Sequence, residues 1–420
     1  MKNDWIDLAV GEFKALCVEL QEQLKGSDPG NLLDSADLIG QRLYGQIAQV
    51  QQQAIQHHIN STMSQSRHRY CSDCSEKMRH KGKSSFDFIS RFGHLHLAGI
   101  YYRCRCGQSK GVSDFVNKGR HFSLAANELA VRYAGSISFT QAKRYLEKDF
   151  GICVSHELLR QNAYNVGREL KQLRDNNSHD CSWSNMAQNR LYGYVDGVLV
   201  NIRDEGWKEC KLLRYDHGAE NHVRYRALLG PVERFGKMIR REAIALNAKE
   251  ADEIVMLMDG AEGFHNHISK NLPTARMITD YWHACQHIGQ CSEVLHPNDP
   301  KQKTLWRKRY CYQLRDYGPA KVLKGLRLSQ KRRKYEHERE ALRLLIGYIG
   351  KRQDRMNYPE LLKENYRVDS GPIESACKNV VQARMKLPGM RWSRPGARAM
   401  LEVRTALCSD IWEKLIEHAA

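Results

Sequence analysis

A chain of 420 residues is long enough for two to four domains with their own cores, and its formal net charge of +18 calls for a polyanionic partner, nucleic acid being the usual one. No apolar run approaches the roughly 20 residues of a membrane span and residues 1–7 lack a signal-peptide pattern, so the expected protein is soluble and cytoplasmic. Thirteen cysteines, an odd number without secretion signals, argue against a disulfide framework and for reduced thiols, some of them metal-bound.

The charge is unevenly spread. Residues 1–60 hold four Lys/Arg against eight Asp/Glu, so the basic character lies entirely beyond them. Apolar residues recur there at helical spacing, first Ile6, Val10, Phe13, Cys17, Leu20 and Leu24, then Ile39, Leu43, Ile47, Val50 and Ala54, with a break at Asp28, Pro29 and Gly30. Residues 1–62 therefore read as two helices, which either self-associate or pack on their own chain.

Residues 63–120 carry two close cysteine pairs, Cys71/Cys74 and Cys104/Cys106, separated by strand-like alternation. This is the pattern of a zinc ribbon, four thiolates completing a tetrahedron around a structural Zn²⁺, with His68 and His80 nearby. Residues 121–174 turn helical. Thr140 reads as one N-cap, Gly151 as a tight turn and Ser155 as the next N-cap, the layout of a helix-turn-helix whose second helix offers His156, Arg160 and Gln161 to a major groove. The polar stretch from Arg174 to Asn185 marks a boundary.

From 190 to 284 the pattern is of a catalytic core. The apolar run Leu191–Asn201 is a buried strand with one carboxylate, Asp196, in its middle; strands at 209–216 and 222–229 follow, then a helix near 231–247. The apolar run 253–258 ends in Asp259, and another strand, 275–280, leads into a helix whose His283, Cys285 and His287 read as packing rather than metal-binding. Three antiparallel strands, a crossover helix and a further strand are the order of an RNase H-like fold. Residues 285–366 form a basic helical insertion: 301–355 hold 18 Lys/Arg against 5 Asp/Glu. Arg307, Lys308 and Arg309 would grip a DNA backbone, with Trp306 and Tyr310 as stacking or wedge residues. Residues 367–420 return to the core with Glu374 on a helix opened by Pro372, and continue as a basic arm with Lys378, Arg384, Arg391 and Trp392.

The expected class is thus α+β multidomain, an RNase H-like mixed sheet with a helical insertion, preceded by a zinc ribbon and a helix-turn-helix. Two strand-borne aspartates and a helix-borne glutamate make an oxygen-rich site for two Mg²⁺ or Mn²⁺ ions. Asp216, Glu262 and Glu364 lie close in sequence to these acids, and Asp369 is the rival to Glu374.

The segments around Asp196, Asp259, Asp280–Ala284, Gly371–Cys377 and Gly389–Ser393 resemble the DDE transposases of bacterial insertion sequences, most closely the Kra-type family, over most of the chain from about residue 65. That resemblance implies Mg²⁺-dependent strand cleavage and strand transfer, with Asp196, Asp259 and Glu374 as catalytic, metal-binding triad. It also implies double-stranded DNA partners, namely terminal inverted repeats and target, and a homo-oligomer, at least a dimer on paired ends. A zinc-dependent DNA-binding regulator with an inactive core and a structure-specific nuclease or resolvase are the competing readings.

Overall fold

A computed structural model describes residues 4–25, 32–63, 69–117, 120–176, 182–183, 190–217 and 222–419. The chain forms two compact units, residues 1–163 and 164–419. The break expected at 28–30, His68, and most of the boundary stretch at 174–185 lie outside the described residues.

In the first unit, α1 (Asp4–Lys25) and α2 (Leu32–Met63) precede a three-stranded antiparallel sheet of β1 (Arg79–Ser90), β2 (Gly93–Arg103) and β3 (Ser109–Lys110). Alternation along β2 turns Leu95 and Leu97 inward, where Ile59 and Met63 of α2 and Val112 of the short α3 (Val112–Asn117) close a small core. α2 also covers the β2 edge. Gln56 donates to the Ala98 carbonyl (2.7 Å) and accepts from the Ala98 amide (2.9 Å), and Gln52 accepts from the His96 amide (3.1 Å). Of the two roles open to the N-terminal helices, α2 thus has packing on its own chain.

Next come α4 (Leu124–Ser136), α5 (Phe139–Phe150) and α6 (His156–Asp175). α5 is capped by Ser138 in a capping box with Gln141, rather than by Thr140, because Ser138 keeps extended backbone while Phe139 already turns helical. Gly151 ends α5 in the left-handed region (φ 64°), which a glycine adopts without a Cβ penalty, and the Ser155 hydroxyl accepts from the Leu158 amide to start α6.

The second unit is built on a five-stranded mixed sheet of order β6-β5-β4-β7-β8. β4 (Arg190–Ile202), β5 (Gly206–Asp216) and β6 (Val223–Leu228) form an antiparallel meander, and β7 (Glu253–Met258) and β8 (Arg276–Thr279) add in parallel to β4. One face is covered by α7 (Val232–Ala245) and α8 (Glu262–Asn271), whose Phe235, Ile239, Phe264 and Ile268 pack on Leu191, Val195, Tyr215, Met256 and Met258. α9 (Tyr281–Leu295), α10 (Pro300–Arg332, kinked at Gly318–Pro319), α11 (Glu336–Gly350) and α12 (Tyr358–Lys363) follow as a helical layer. The chain then returns with α13 (Gly371–Ala376), which runs through a π-helical turn at Cys377–Gln382 into α14 (Ala383–Met385) and so lies along β4 and β5.

α15 (Arg394–Leu407) and α16 (Trp412–Ala419) complete the unit, α15 against β6. The basic arm expected after Glu374 is therefore a folded part of the core. Trp392 pairs by its backbone with the end of β4, its amide donating to Asn201 O (3.1 Å) and its carbonyl accepting from the Arg203 amide (2.8 Å). Beneath α15 and β6 lies a buried ionic network. Glu242 accepts from Arg226 (2.9 Å) and Arg224 (3.2 Å) and stands 3.7 Å from Arg174, while Glu402 faces Arg174 and Arg226.

Candidate functional site

In the first unit the four cysteines meet. Cys71 sits 3.7 Å from Cys106 and Cys74 3.4 Å from Cys104, sulfur to sulfur, and all four sulfurs lie within 4.8 Å of one another. Zn–S bonds of about 2.3 Å at tetrahedral angles require sulfurs about 3.8 Å apart, so the donor set fits zinc. Each pair sits on a tight turn, Ser75 N bonding back to Cys71 O and Gly107 N to Cys104 O (3.2 Å each). The backbone amides of Asp73 and Cys74 lower the pKa of the Cys71 thiol to about 7, while the neighbouring thiols raise those of Cys74 and Cys106, as expected of four sulfurs that cannot all ionise side by side without a cation. His80 instead packs edge-on against Tyr102, and it is not among the clustered ligands. Purified protein is expected to carry about one zinc per chain by metal analysis, and Cys71→Ser with Cys106→Ser to lose it together with the fold of the ribbon; unchanged zinc content in that variant would remove the site.

In the second unit the parallel register ends with Val195 paired to Met258, which sets Asp196, in the middle of β4, beside Asp259, the residue after β7. Both are half-buried. Asp196 accepts from the Gly197 amide (2.7 Å) and the Cys377 thiol (3.5 Å), and burial, with the charge of Asp259 adding to it, raises its pKa. Asp259 accepts from the Ala261 amide (2.8 Å). Its loop is clamped from α11: Tyr348 Oη donates to Asp259 O (3.2 Å) and Arg352 Nε to Gly260 O (2.7 Å). Gly260 has φ +89°, and a Cβ there would meet Arg352 Nε at 2.9 Å, so the clamp requires glycine.

The next strand end carries a third aspartate, wholly buried Asp280. It caps α9, accepting at Oδ2 from the His283 amide and facing His283 Nδ1, both at 2.7 Å, while Oδ1 accepts from the Ser370 amide (2.7 Å). One carboxylate thus fixes an imidazole and anchors the start of the helix that bears Glu374. Tyr281 N to Val368 O (2.9 Å) and Arg214 to Pro372 O (3.4 Å) tie the same segment down. Glu374, half-exposed on the first turn of α13, acts on Cys377 one turn later, the thiol that donates to Asp196. His283 has its pKa raised by the Asp280 hydrogen bond and then by the charges of Asp280, Asp259 and Asp196.

Cys377 bonds Asp196 and feels the charge of Glu374, and His283 feels the charges of Asp196 and Asp259; among the described residues only the four thiols form a group of potential ligands within 4.8 Å of one another. The contacts of Asp280 with His283 and Ser370, and of Cys377 with Asp196, are what sequence reasoning did not foresee; the Asp-x-x-His spacing at a helix start was the available signal for the first. The rival acids have other employment. Asp369 is exposed and faces the Gly371 amide (3.4 Å), Asp216 is buried against Arg367 (2.6 Å) and Arg214 (3.0 Å), and Glu262 pairs with Arg352 (3.0 Å). Glu364 is exposed after α12.

The residues expected to meet DNA divide. His156 and Gln161 are exposed and Arg160 half-buried on the first turns of α6, but Glu157 accepts from both Arg160 (2.8 Å) and Gln161 (2.7 Å). Arg307, Lys308 and Arg309 are exposed along α10, as are Lys378 and Arg391. Three others are corrected. Arg384 is fully buried over the Trp392 ring (4.9 Å), Trp392 is 3% exposed with its indole donating to Met385 O (3.0 Å), and Tyr310 is buried with the Trp306 ring tilted against it (4.3 Å). A cation and an indole that pack on each other beneath the end of β4 stabilise the fold and are out of reach of a ligand. Among the described residues, no helix is long and apolar enough to cross a membrane.

No family model and no curated protein sequence matches the chain. Among solved structures it is similar to the Drosophila P element transposase strand transfer complex, with a TM-score of 0.26 and 10% identity over 73% of this chain and 83% of that chain, a likeness too slight to define the fold.

Proposed function

We propose that the chain is a DNA transposase of DDE type, in which an RNase H-like sheet carries Asp196 and Asp259 and the π-bulged helix carries Glu374. The observation that supports this reading is that Asp196 and Asp259 lie on adjacent parallel strands and that the helix carrying Glu374 bonds to Asp196 through Cys377. Asp196 lies mid-way along β4 and Asp259 just past the end of the parallel β7, and Glu374 rides on a helix fastened to this sheet through Asp280–Ser370 and Cys377–Asp196. A half-buried pair of carboxylates with no arginine or lysine hydrogen-bonded to either among the described residues is a donor set that suits divalent cations. Asp196, Asp259 and Glu374 would hold two Mg²⁺ or Mn²⁺ ions, which supply an activated water or 3′-hydroxyl and stabilise the leaving oxygen of a phosphodiester. Asp280 keeps the His283 ring fixed, and its hydrogen bond together with the charges of Asp259 and Asp196 favours the protonated ring. Tyr348 and Arg352 hold the Asp259 loop rigid. The zinc ribbon, the α5–α6 pair and the cationic face of α10 would bind DNA, and pairing two ends would need at least a dimer.

The direct test is incubation of the protein with DNA from the borders of its own gene in Mg²⁺ or Mn²⁺. Strand cleavage and joining are expected, whereas tight binding without cleavage under any divalent ion would favour a regulator with an inactive core. Binding is also expected to weaken steeply with salt. Neutralising Arg307, Lys308 and Arg309 together should reduce the slope of log K against log salt by roughly 3 while base preference stays, since each phosphate contact contributes about 0.9. A changed end preference at an unchanged slope would make α10 a base reader.

A further inference from the structure

α9 and α10 face each other across a cavity of about 380 Å³. Its lining recurs at helical spacing on both sides: Trp282, Cys285 and Gly289 form one stripe of α9, and Lys303, Arg307 and Cys311 one stripe of α10. Each helix thus brings one thiol to the same wall, and Arg307 lies one turn before Cys311. The two thiols are in hydrogen-bond contact, and Tyr281, one turn before Cys285, donates its hydroxyl to Cys311 O (3.2 Å), which fixes the helices at this level. Neither sulfur belongs to the zinc ribbon or bonds to the carboxylates. Access to them is graded. Cys285 is 1% exposed and Cys311 half-buried, and a Cβ on Gly289 would meet nothing closer than the Arg307 side chain at 3.5 Å, so the cavity stays open to a small solute.

We propose that Cys285 and Cys311 form a peroxide-reactive dithiol, with Cys311 as the attacking sulfur and Cys285 as the resolving one, a modification site independent of the transposase reading. The Cys285 hydrogen bond first, and then Arg307, hold the Cys311 thiol below its ordinary pKa against the opposing effect of burial, so a larger share of it is the nucleophilic thiolate. The same contact, with burial, pushes the Cys285 thiol up and keeps its proton in place. The Cys311 thiolate attacks one oxygen of hydrogen peroxide. An S–O bond forms, the O–O bond breaks, and the departing hydroxide takes up a proton and leaves as water, which gives a sulfenic acid. The Cys285 sulfur then attacks the Cys311 sulfur; the S–S bond forms as the S–O bond breaks, and the hydroxide leaves with the Cys285 proton as a second water. Two thiols thus lose two electrons and two protons to one peroxide, which is reduced to two waters. Sulfurs already in contact reach bonding distance by side-chain rotation. The product ties α9 to the turn of α10 that carries Arg307, Lys308 and Arg309, and a dithiol reductant restores the pair.

The test treats the zinc-loaded full chain with substoichiometric hydrogen peroxide, blocks the remaining thiols with a maleimide and reads the peptides by mass spectrometry. Wild type is expected to yield the Cys285 and Cys311 peptides joined and two hydrogens lighter, about tenfold faster than solvent-exposed Cys153 is oxidised, and dithiothreitol should reverse the change. Cys285→Ser should lose the disulfide and stop at a Cys311 sulfenic acid, which a dimedone probe labels. Cys311→Ser should leave Cys285 unlabelled, since the buried thiol keeps its proton. The wild-type arm stands by itself, so misfolding of either serine variant does not shield the proposal. Absence of the Cys285–Cys311 disulfide from wild type, its formation no faster than oxidation of Cys153, or dimedone on Cys285 in Cys311→Ser with none on Cys311 in Cys285→Ser would each overturn the assignment.

Discussion

Replacement of Asp196, Asp259 or Glu374 by its amide should bring DNA strand cleavage and joining to background while binding to DNA survives. The amide keeps the shape of the carboxylate but loses the charge that offsets a divalent cation, and the ion's stabilisation of the transition state amounts to several kcal/mol. At about 1.4 kcal/mol per factor of ten, the loss is on the order of a thousandfold or more. The fold should tolerate the change. Asp196 is raised in pKa by burial and by its neighbour Asp259, so a neutral side chain there relieves repulsion, and the metal-free melting temperature of Asp196→Asn is not expected to fall. Asp369→Asn is the control, since that side chain is exposed and faces only the Gly371 amide. A dead Asp369→Asn beside a fully active Glu374→Gln would reassign the third ligand.

The second large effect concerns stability. Glu242 is 4% exposed and lies among Arg174, Arg224 and Arg226. Glu242→Gln leaves those guanidiniums short of one compensating charge in a water-free site, and breaking a buried pair in this way costs about 3–5 kcal/mol. For a unit of this size that is a fall of about 10 °C in melting temperature, readable by calorimetry. The pH dependence has a defined sign. Burial works to raise the carboxyl, but the charges of Arg226, Arg174 and Arg224 override it and hold it at about 2, below its unfolded value. Its stabilisation is therefore complete above the unfolded pKa near 4.5 and is lost as the pH falls toward 2. The Gln variant should lack this part of the acid transition; an unchanged acid limb would mean that Glu242 contributes no linkage.

How far the sequence foretold these features depends on the range over which each is decided. The run that contains Asp196 and the run that ends before Asp259 were legible because a buried strand needs only its own apolar residues, and the cysteine pairs were legible because a metal knuckle is local. The fate of Arg384 and Trp392 was not. A short stretch rich in cations and tryptophan reads as surface, and only its pairing with Asn201 and Arg203, some 190 residues earlier, buries it. The tie made by Asp280 was not legible for a similar reason: one oxygen holds the His283 ring and the other reaches Ser370, 90 residues on. The cap of α5 moved by two residues, from Thr140 to Ser138, where either hydroxyl could have served by composition.

The glutamines of α2 that bond to β2 have a consequence for what can be cut from this protein. A strand with free amides and carbonyls is a template on which another chain can extend the sheet, and folded proteins cover or charge such edges to stay monodisperse. Here Gln52 and Gln56 occupy the edge at His96 and Ala98, and Ile59 and Met63 shield the same strand's inward side chains. The ribbon is accordingly not an excisable cassette. A fragment beginning at Arg69 would keep its four thiols and still bare a sticky border, so transplanting the metal-binding hairpin requires transplanting the acidic helix that screens it.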